Sequence, residues 1–355
     1  MSQLRVVMVE RSSASRSALR QILEADRDIV VIQELGEMDS LMRVAGEESP
    51  DLIMLDAAAV IGEGLHVIEQ LMAERPVPLL IVAELSSAAG GEPAAQAIGR
   101  GALDVQAKPT LADAHGGAML RTTVRQLAHV RVVRHMQRSR RQLVAHPGPQ
   151  PSADESLRLL GPAPESGYTV VGFGGSAGGP SALVAILSRL PGSFPACVAV
   201  VQHLPPGFVE PFAGFLRSHT RLRVAIVSSR MPATPGTILL PAEDCHLLAS
   251  SREGFMVNRE PAFRGHRPAV DVLMRSLACS FGSSAVGIVL SGMGNDGTDG
   301  LKELRKRGGL AIAQDEHSAA VSGMPLSALA SGAAELVMPP EQIAATLLRV
   351  CHGAA

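Results

Sequence analysis

The sequence predicts an α/β protein with a doubly wound five-stranded domain, a linker, and a second doubly wound, mostly parallel α/β domain. In both halves, short runs rich in β-branched residues alternate with helical apolar patterns. Residues 146–156, rich in Pro and small polar residues, are typical of a linker. We therefore predict domains at residues 1–125 and 166–350, joined by a basic helical segment and linker at 126–165.

The first domain is predicted to contain five parallel strands, at residues 5–9, 29–32, 51–55, 79–82 and 103–105. Helical patterns separate these strands, and a serine caps the first helix, whose apolar face carries Leu19, Ile22 and Leu23. Asp56 directly follows the third strand. Ligands of doubly wound sheets bind at the carboxyl ends of the strands, which is where Asp56 lies.

Composition argues against nucleic acid as the main partner. Lys and Arg number 32 against 34 Asp and Glu, whereas phosphate binding needs a surplus of cations. Aromatic residues make up only 3% of the chain, so platforms for stacked bases are not expected. Residues 121–141 contain seven arginines and no acid. We interpret them as a solvated helix leading into the linker, with a nucleic-acid or acidic-membrane patch as the alternative.

Cysteine usage and hydropathy indicate a reduced compartment without membrane insertion. Two uncharged windows, 190–209 and 276–295, are broken by Pro or filled with Ser and Gly, so neither predicts a membrane span. The first residues lack a signal-peptide pattern, and we expect a cytoplasmic location. The cysteines are widely spaced without a CxxC pair, which argues against a thiolate zinc site or a disulfide framework. They are Cys197, Cys245, Cys279 and Cys351.

The second domain repeats the α/β pattern. Its predicted strands are residues 168–173, 196–201, 224–227, 237–240, 285–290, 310–313 and 335–338. Its predicted helices are residues 182–190, 209–217, 270–278 and 300–306.

Three reactive side chains follow strands of this second domain. Ser176 lies in a glycine-rich loop after the first strand, His203 follows the second, and Asp296 follows the strand at 285–290. Parallel strands place all three at one edge of the sheet, where a hydroxyl, an imidazole and a carboxylate are the parts of a nucleophilic triad. The N–H groups near Ala177 and Gly178, at the start of a helix, are suited to stabilising an oxyanion.

Two glycine motifs allow other interpretations. Gly174-x-Ser176-x-Gly178 fits the nucleophile elbow of α/β-hydrolases, but that fold orders its triad Ser, acid, His. The same loop fits the dinucleotide fingerprint, which requires an acid at the end of the next strand. Gln202 and His203 stand there instead, which weakens the prediction of a nicotinamide-dependent oxidoreductase.

Spacing alone does not select the base or the acid. His246 and His266 are rival bases, and Asp299 is a rival acid. The loop at 292–300 is also compatible with a plain turn or a weak Ca²⁺ loop, although it has few acids.

Four motifs together resemble the CheB family of chemotaxis protein-glutamate methylesterases. They are GGSAGG at 174–179, QHLPPGF at 202–208, HRPAVDVL at 266–273 and GMGNDG at 292–297. The resemblance covers nearly the whole chain, including a receiver domain in front. It implies that Ser176 is the nucleophile, His203 the base and Asp296 its orienting acid. It also implies that Met293 lies near the oxyanion site and that catalysis needs no metal.

The resemblance further implies a reaction. Ser176 attacks the side-chain carbonyl of a methylated glutamate on a chemoreceptor, methanol leaves, and water hydrolyses the glutamyl-enzyme ester. Receptor glutamines are deamidated by the same chemistry in family members. The family usually has Thr directly after the nucleophile, where this chain has Ala177. A non-enzymatic signalling protein with an esterase-like fold is the alternative function.

The receiver domain departs from the pattern that the resemblance implies. Asp56 aligns with the phosphoacceptor and Lys108 with the receiver lysine. Where receivers have a pair of acidic residues this chain has Glu10-Arg11, and where they have a hydroxyl residue at the end of the fourth strand it has Ala83. Arg11 places a positive charge beside the Mg²⁺ position and weakens metal binding. We predict a degenerate receiver that is poorly phosphorylated; the alternative is that Glu10 and Asp56 still hold Mg²⁺. The resemblance implies that the receiver restrains the esterase and that a sensor kinase is a partner.

Overall fold

The computed structural model describes residues 3–84, 88–130, 132, 167–251 and 254–351. These residues form two compact units, each with its own parallel sheet. The predicted linker at 146–156 lies outside the described residues. So do five of the seven arginines in the basic segment at 121–141. The domain boundaries at 125 and 166 stay predictions.

The first unit is built on five strands. They are β1 (Leu4–Val9), β2 (Ile29–Leu35), β3 (Leu52–Asp56), β4 (Leu79–Ala83) and β5 (Asp104–Ala107). Every neighbouring pair is parallel, and the order is β2-β1-β3-β4-β5. This is a doubly wound order whose ligand edge lies at the carboxyl ends of the strands. The predicted fold class is confirmed, with Asp56 at the end of β3.

Five helices belong to this part of the chain. They are α1 (Ser13–Glu24), α2 (Leu41–Glu48), α3 (Gly64–Glu74), α4 (Ala88–Gly99) and α5 (Ala114–Leu127). At the start of α1, the Ser12 side chain accepts the N–H of Ser15, and the helix buries its predicted apolar face.

Of the basic helical segment predicted at 121–141, only residues 121–130 and 132 are described, and of these residues 121–127 are helical. Helix α5 begins earlier, where Asp113 accepts the N–H of Gly116, and it ends at Leu127. Its arginines are also paired: Arg121 and Arg125 both contact Asp26, and Arg125 also contacts Asp28. These two arginines therefore serve an ion-pair cluster.

The second unit contains a larger parallel sheet. Its strands are β6 (Val170–Gly175), β7 (Cys197–Gln202), β8 (Arg223–Val227), β10 (Thr237–Pro241), β13 (Ala285–Val289), β14 (Leu310–Gln314) and β15 (Leu336–Met338). Their order is β15-β14-β13-β6-β7-β10-β8, with parallel pairing throughout. All seven predicted strands are present. A small antiparallel sheet was not predicted; it consists of β9 (Met231–Pro232), β11 (His246–Ser251) and β12 (Gly254–Asn258).

Six helices follow β6 along the chain. They are α6 (Gly179–Leu187), α7 (Val209–His219), α8 (Val270–Ser280), α9 (Thr298–Lys306), α10 (Gly323–Ala330) and α11 (Pro340–Val350). The sequence did not predict α10 or α11. Among the residues that the structure describes, no helix combines the length and the apolar character needed to cross a bilayer.

Helix α8 lies directly on the central strand β6. A Cβ at Gly172 would overlap the Leu277 side chain, and a Cβ at Gly174 would overlap a methyl of Val270. The two glycines therefore let the helix approach the sheet closely, which accounts for them without a bound phosphate. The sheet runs outward from β6 in both directions, so its switch point is the edge where β6, β7 and β13 end.

Candidate active site

Ser176 is held by its backbone at the end of β6. Its N–H donates to the carbonyl of Ser291 at 3.0 Å. Its carbonyl accepts the N–H of Gly179 at 2.8 Å and the side-chain Nε2 of Gln202 at 2.7 Å. The residue is half-buried, and its hydroxyl makes no hydrogen bond with any described residue. The backbone of the predicted nucleophile is thus fixed while its oxygen is uncommitted.

The glycines around Ser176 leave room for neighbouring side chains. A Cβ at Gly175 would lie 2.7 Å from Gln202 Oε1, and one at Gly179 would overlap the same amide. Gly178 has a φ of 74°, a left-handed conformation that favours glycine, and turns the chain into α6. The glycine run is therefore explained by packing and by one turn, and neither requires a dinucleotide.

His203 and Asp296 are joined by a hydrogen bond. The distance from His203 Nε2 to Asp296 Oδ2 is 2.9 Å, and both side chains are largely buried. The same carboxylate accepts two backbone N–H groups from the first turn of α8, from Val270 at 2.7 Å and from Asp271 at 2.9 Å. Helix α8 has no side-chain cap on its own N-cap residue, so Asp296 takes that place.

These contacts decide the charge of Asp296. Burial alone would raise its pKa, but the His203 hydrogen bond, the His203 charge and the two backbone N–H groups outweigh burial, so the pKa lies below its ordinary value. The N-terminus of α8 also favours a negative charge at this position. Asp296 is therefore a carboxylate at neutral pH.

The pairing fixes which imidazole atom is available. With Nε2 donating to Asp296, the neutral ring of His203 carries its lone pair on Nδ1. His203 and Ser176 follow neighbouring strands, and the N–H of His203 donates to the carbonyl of Gly175 at 2.9 Å. The structure thus brings the backbones of all three predicted residues to one edge and bonds His203 to Asp296. It places no hydrogen bond between the Ser176 hydroxyl and His203.

Two of the rival residues have other roles. His246 is fully buried, and both of its ring nitrogens are hydrogen-bonded to backbone. Its Nδ1 accepts the N–H of Ala269 at 3.2 Å, and its Nε2 donates to the carbonyl of Pro261 at 3.3 Å. Asp299 lies 2.9 Å from Arg264, in an ion pair. Neither contacts His203.

The third rival, His266, stacks on His203. The ring centroids are 4.1 Å apart and the planes differ by 3°. Burial, followed by the charge of His203, lowers the pKa of His266 and outweighs the opposite effect of Asp296, so its ring is neutral at neutral pH. The two histidines and Asp296 have ligand atoms within 4.8 Å of one another. Stacked rings direct their lone pairs along parallel planes, however, so this arrangement does not suit one shared metal ion.

Three backbone N–H groups next to Ser176 have no acceptor among the described residues. They belong to Ala177, Gly178 and Met293, the residues predicted for the oxyanion site. Met293 is held beside Ser176 by its neighbour Gly292, whose N–H donates to Val321 at 2.8 Å and whose carbonyl accepts from Met324 at 2.8 Å. A backbone donor of this kind is suited to a developing negative charge.

Sequence reasoning missed Gln202 and Ser291. Both are buried polar residues in contact with the loop of Ser176. The available signal was position: each follows a run of buried apolar residues at the carboxyl end of a strand, where a polar side chain has a reason to be present.

The first unit has a separate polar cluster at its own ligand edge. Lys108 Nζ lies 2.7 Å from Glu10 Oε2 and 2.7 Å from Asp56 Oδ1. The other oxygen of Glu10 accepts the N–H of Ser12 at 2.8 Å. Burial opposes the charge of Lys108, but the two carboxylates outweigh burial and raise its pKa. For Asp56, burial outweighs Lys108 and raises the pKa.

In this cluster Lys108 contacts both carboxylates that a divalent cation would need. Mg²⁺ is commonly held by one or two carboxylates together with waters, and here the ammonium group lies 2.7 Å from both Glu10 and Asp56. Ala83, at the end of β4, offers no hydroxyl. The ammonium group of Lys108 neutralises the negative charge of Glu10 and Asp56, which a bound cation would otherwise do.

The chain is similar to known methylesterases. A family profile described as CheB methylesterase matches residues 171–347. The chain is 38% identical over 304 residues to the protein-glutamate methylesterase FrzG of Myxococcus xanthus, covering 84% of each chain. It is 36% identical over 347 residues to a protein-glutamate methylesterase/protein-glutamine glutaminase of Pseudomonas aeruginosa, covering 97% of this chain and 96% of the relative. The crystal structure of the Thermotoga maritima CheB methylesterase catalytic domain is 35% identical, covers 51% of this chain and 97% of that chain, and gives a TM-score of 0.49.

Proposed function

This chain belongs to the CheB methylesterase family, and we propose that it hydrolyses glutamyl methyl esters on chemoreceptors through Ser176, His203 and Asp296. The observation that carries the proposal is the hydrogen-bonded pair of His203 and Asp296 beside an uncommitted serine hydroxyl. Ser176 follows β6, the strand that lies between β7 and β13 in the sheet. His203 follows β7, and Asp296 lies in the loop after β13. Apo enzymes often close the serine–histidine hydrogen bond only with substrate bound.

The first half of the reaction forms an acyl-enzyme. His203 Nδ1 takes the proton of Ser176 as Oγ bonds to the ester carbonyl carbon, and Asp296 stabilises the imidazolium. The free N–H groups of Ala177, Gly178 and Met293 stabilise the oxyanion. When the carbonyl re-forms, the bond to the methoxy oxygen breaks, and His203 returns its proton so that methanol leaves.

The second half consumes water. His203 Nδ1 takes a proton from water as the water oxygen bonds to the acyl carbon, and the bond to Ser176 Oγ then breaks. The serine recovers its proton from His203, and the products are methanol and a glutamic acid side chain that ionises to a carboxylate and a proton. Receptor glutamines enter by the same route, with ammonia as the leaving group, as the names of several relatives indicate for those proteins. Ala177 adds no hydroxyl to the loop, which we expect to change the rate and not the reaction type.

Methanol release from membranes carrying methylated receptors of the same bacterium tests the proposal. We expect release by the wild-type chain and a loss of at least about 10³-fold with Ser176→Ala, since the nucleophile is removed. Ser188→Ala, an exposed serine at the far end of α6, is the matched control and should retain full activity. No release by the wild type would favour a non-enzymatic signalling role, and equal release by Ser176→Ala would exclude Ser176 as the nucleophile.

We further propose that the first unit regulates the esterase as a receiver without efficient phosphorylation, in the cytoplasm and in a pathway with a sensor kinase. The support is the cluster in which Lys108 bridges Glu10 and Asp56, together with Ala83 in place of a hydroxyl at the end of β4. Incubation with acetyl phosphate and MgCl₂, followed by intact mass, tests this proposal. We expect substoichiometric phosphate; one phosphate per chain on Asp56 would overturn it.

A further inference from the structure

We propose that Gln202 and Ser291 are positioning residues that direct the N–H groups of Ala177 and Gly178 toward the oxyanion. This inference rests on the proposed esterase function and adds to it two side chains that do not touch the substrate. Each one holds a carbonyl of the loop that carries Ser176.

Gln202 controls the peptide between Ser176 and Ala177. Its Nε2 donates to the Ser176 carbonyl at 2.7 Å and to the His203 carbonyl at 3.2 Å, and the residue is buried. The N–H of Gly179 donates to the same Ser176 carbonyl at 2.8 Å. In a planar trans peptide the C=O and N–H point in opposite directions. Two donors on the carbonyl therefore turn the N–H of Ala177 away from Gln202 and Gly179.

Ser291 controls the next peptide in the same way. Its Oγ donates to the Ala177 carbonyl at 2.7 Å and accepts the N–H of Val321 at 2.9 Å, and the residue is fully buried. The N–H of Gly178 must then point away from Ser291. The backbone carbonyl of Ser291 also accepts the N–H of Ser176, so one residue holds the loop at two points.

The unpaired groups indicate that this arrangement serves function. The N–H groups of Ala177 and Gly178 have no acceptor among the described residues, although buried backbone donors are normally satisfied. The Oε1 of Gln202 is buried without a partner. A position that mattered only for stability would favour an apolar side chain of the same length, because an unpaired buried acceptor is costly. Gln202 is therefore explained by what its Nε2 holds.

The fit of Gln202 against the loop supports the coupling. Its amide fills the space left by two glycines: a Cβ at Gly175 would approach Oε1 to 2.7 Å, and one at Gly179 would overlap it. Because the same Nε2 also reaches the carbonyl of His203, one side chain sets the relative position of the loops that carry Ser176 and His203. A change at Gln202 therefore displaces the predicted nucleophile and base together.

Methanol release by Gln202→Met and Ser291→Ala in the full chain tests the proposal. Misdirected oxyanion donors act on the transition state alone, so we expect kcat to fall about 10- to 100-fold in each variant while KM changes less than about twofold. Labelling of Ser176 by a fluorophosphonate should slow in proportion. Thr346→Val, which removes a buried hydroxyl from α11, is the control for a purely structural loss and should retain wild-type kcat.

The outcomes separate this inference from the proposed function. A wild-type chain without esterase activity, or an active Ser176→Ala, contradicts the function itself. The positioning role alone is contradicted if the wild type is active, Ser176→Ala is inactive, and both positioning variants keep the kcat of the control. The positioning variants are Gln202→Met and Ser291→Ala, and the control is Thr346→Val. A rise in KM at unchanged kcat also overturns it. If Ser291→Ala fails to fold, Ser291→Cys replaces it. The thiol is slightly larger and a weaker donor, and an unchanged kcat in this variant would contradict the positioning role of Ser291.

Discussion

His203 presents Nε2, and not Nδ1, to Asp296, with 2.9 Å between the nitrogen and Oδ2. In the serine protease arrangement the acid faces Nδ1 and the serine faces Nε2. Here the roles of the two nitrogens are exchanged, so the proton that leaves Ser176 goes to Nδ1. The acid is also tied to the N-terminus of α8 through Val270 and Asp271, so that one carboxylate orients the base and caps a helix.

Replacing Asp296 by Asn should nearly abolish catalysis. An amide cannot stabilise the imidazolium and favours the wrong tautomer of His203, so we expect kcat to fall about 10³- to 10⁴-fold with KM little changed. Asp299→Asn is the matched control, because Asp299 lies three residues on and pairs with Arg264. It should retain activity within about threefold, as expected for a change away from the reacting groups. Comparable losses in the two variants would contradict the assignment of the acid.

The lowered pKa of Asp296 makes its contribution to stability depend on pH. The unfolded carboxyl titrates near its ordinary value of 3.8 and the folded one lower, so the folded state binds fewer protons in between. The stabilisation is complete above the unfolded pKa and is lost as pH falls through the folded pKa. Calorimetry should therefore show Asp296→Asn unfolding at a lower temperature than wild type at pH 7, with the difference shrinking below about pH 4. A difference that is independent of pH would contradict this account.

The central parallel strands could be predicted from the sequence because they are short runs, mostly apolar, that are buried on both faces, as in β3, β4, β6, β7 and β13. That pattern also located the candidate site, since Ser176 and His203 directly follow β6 and β7 and Asp296 lies in the loop after β13. The antiparallel sheet of β9, β11 and β12 was not predicted. Strand β9 has only two residues, and it pairs with β12, which lies more than 20 residues further along the chain.

Helix α11 was missed although its signals were present, with Pro340 in its first turn and buried Ile343, Leu347 and Val350 at helical spacing. The sequence of α10 gives a weaker helix signal, because the helix begins with Gly323 and contains Pro325. The choice of His203 over His246 could not be made from spacing: it depends on which ring nitrogens are already bonded to backbone.

Removing the ammonium of Lys108 should destabilise the first unit. Lys108→Met leaves the carboxylates of Glu10 and Asp56 buried without their shared partner, and breaking a buried ion pair costs about 3–5 kcal/mol. Part of this cost is relieved when Asp56, whose pKa is already raised by burial, takes up a proton. Lys306→Met is the control, since its side chain is mostly exposed and its contact with Glu303 is long. Thermal unfolding measures both, and equal, small shifts would contradict a structural role for the buried pair.

Gly292 sets the position of the nucleophile by contact. A Cβ at this position would lie 2.8 Å from the Cβ of Ser176 and 3.1 Å from its backbone nitrogen, and it would overlap the sulfur of Met324. Gly292→Ala must therefore push the Ser176 loop or α10 away, and we expect kcat to fall by about 10²-fold, as for a displacement of about 1 Å in a catalytic group.

Gly214→Ala is the matched control for the Gly292 variant. Gly214 is exposed within α7 and has open space around its Cα, so alanine there should leave kcat unchanged and stabilise the helix by about 0.5–1 kcal/mol. The measurement is methanol release together with thermal unfolding for both variants. A Gly292→Ala chain that unfolds near the wild-type temperature yet keeps wild-type kcat would show that the loop of Ser176 tolerates displacement. That result would weaken the case that the backbone contacts of Ser176 set its reactivity.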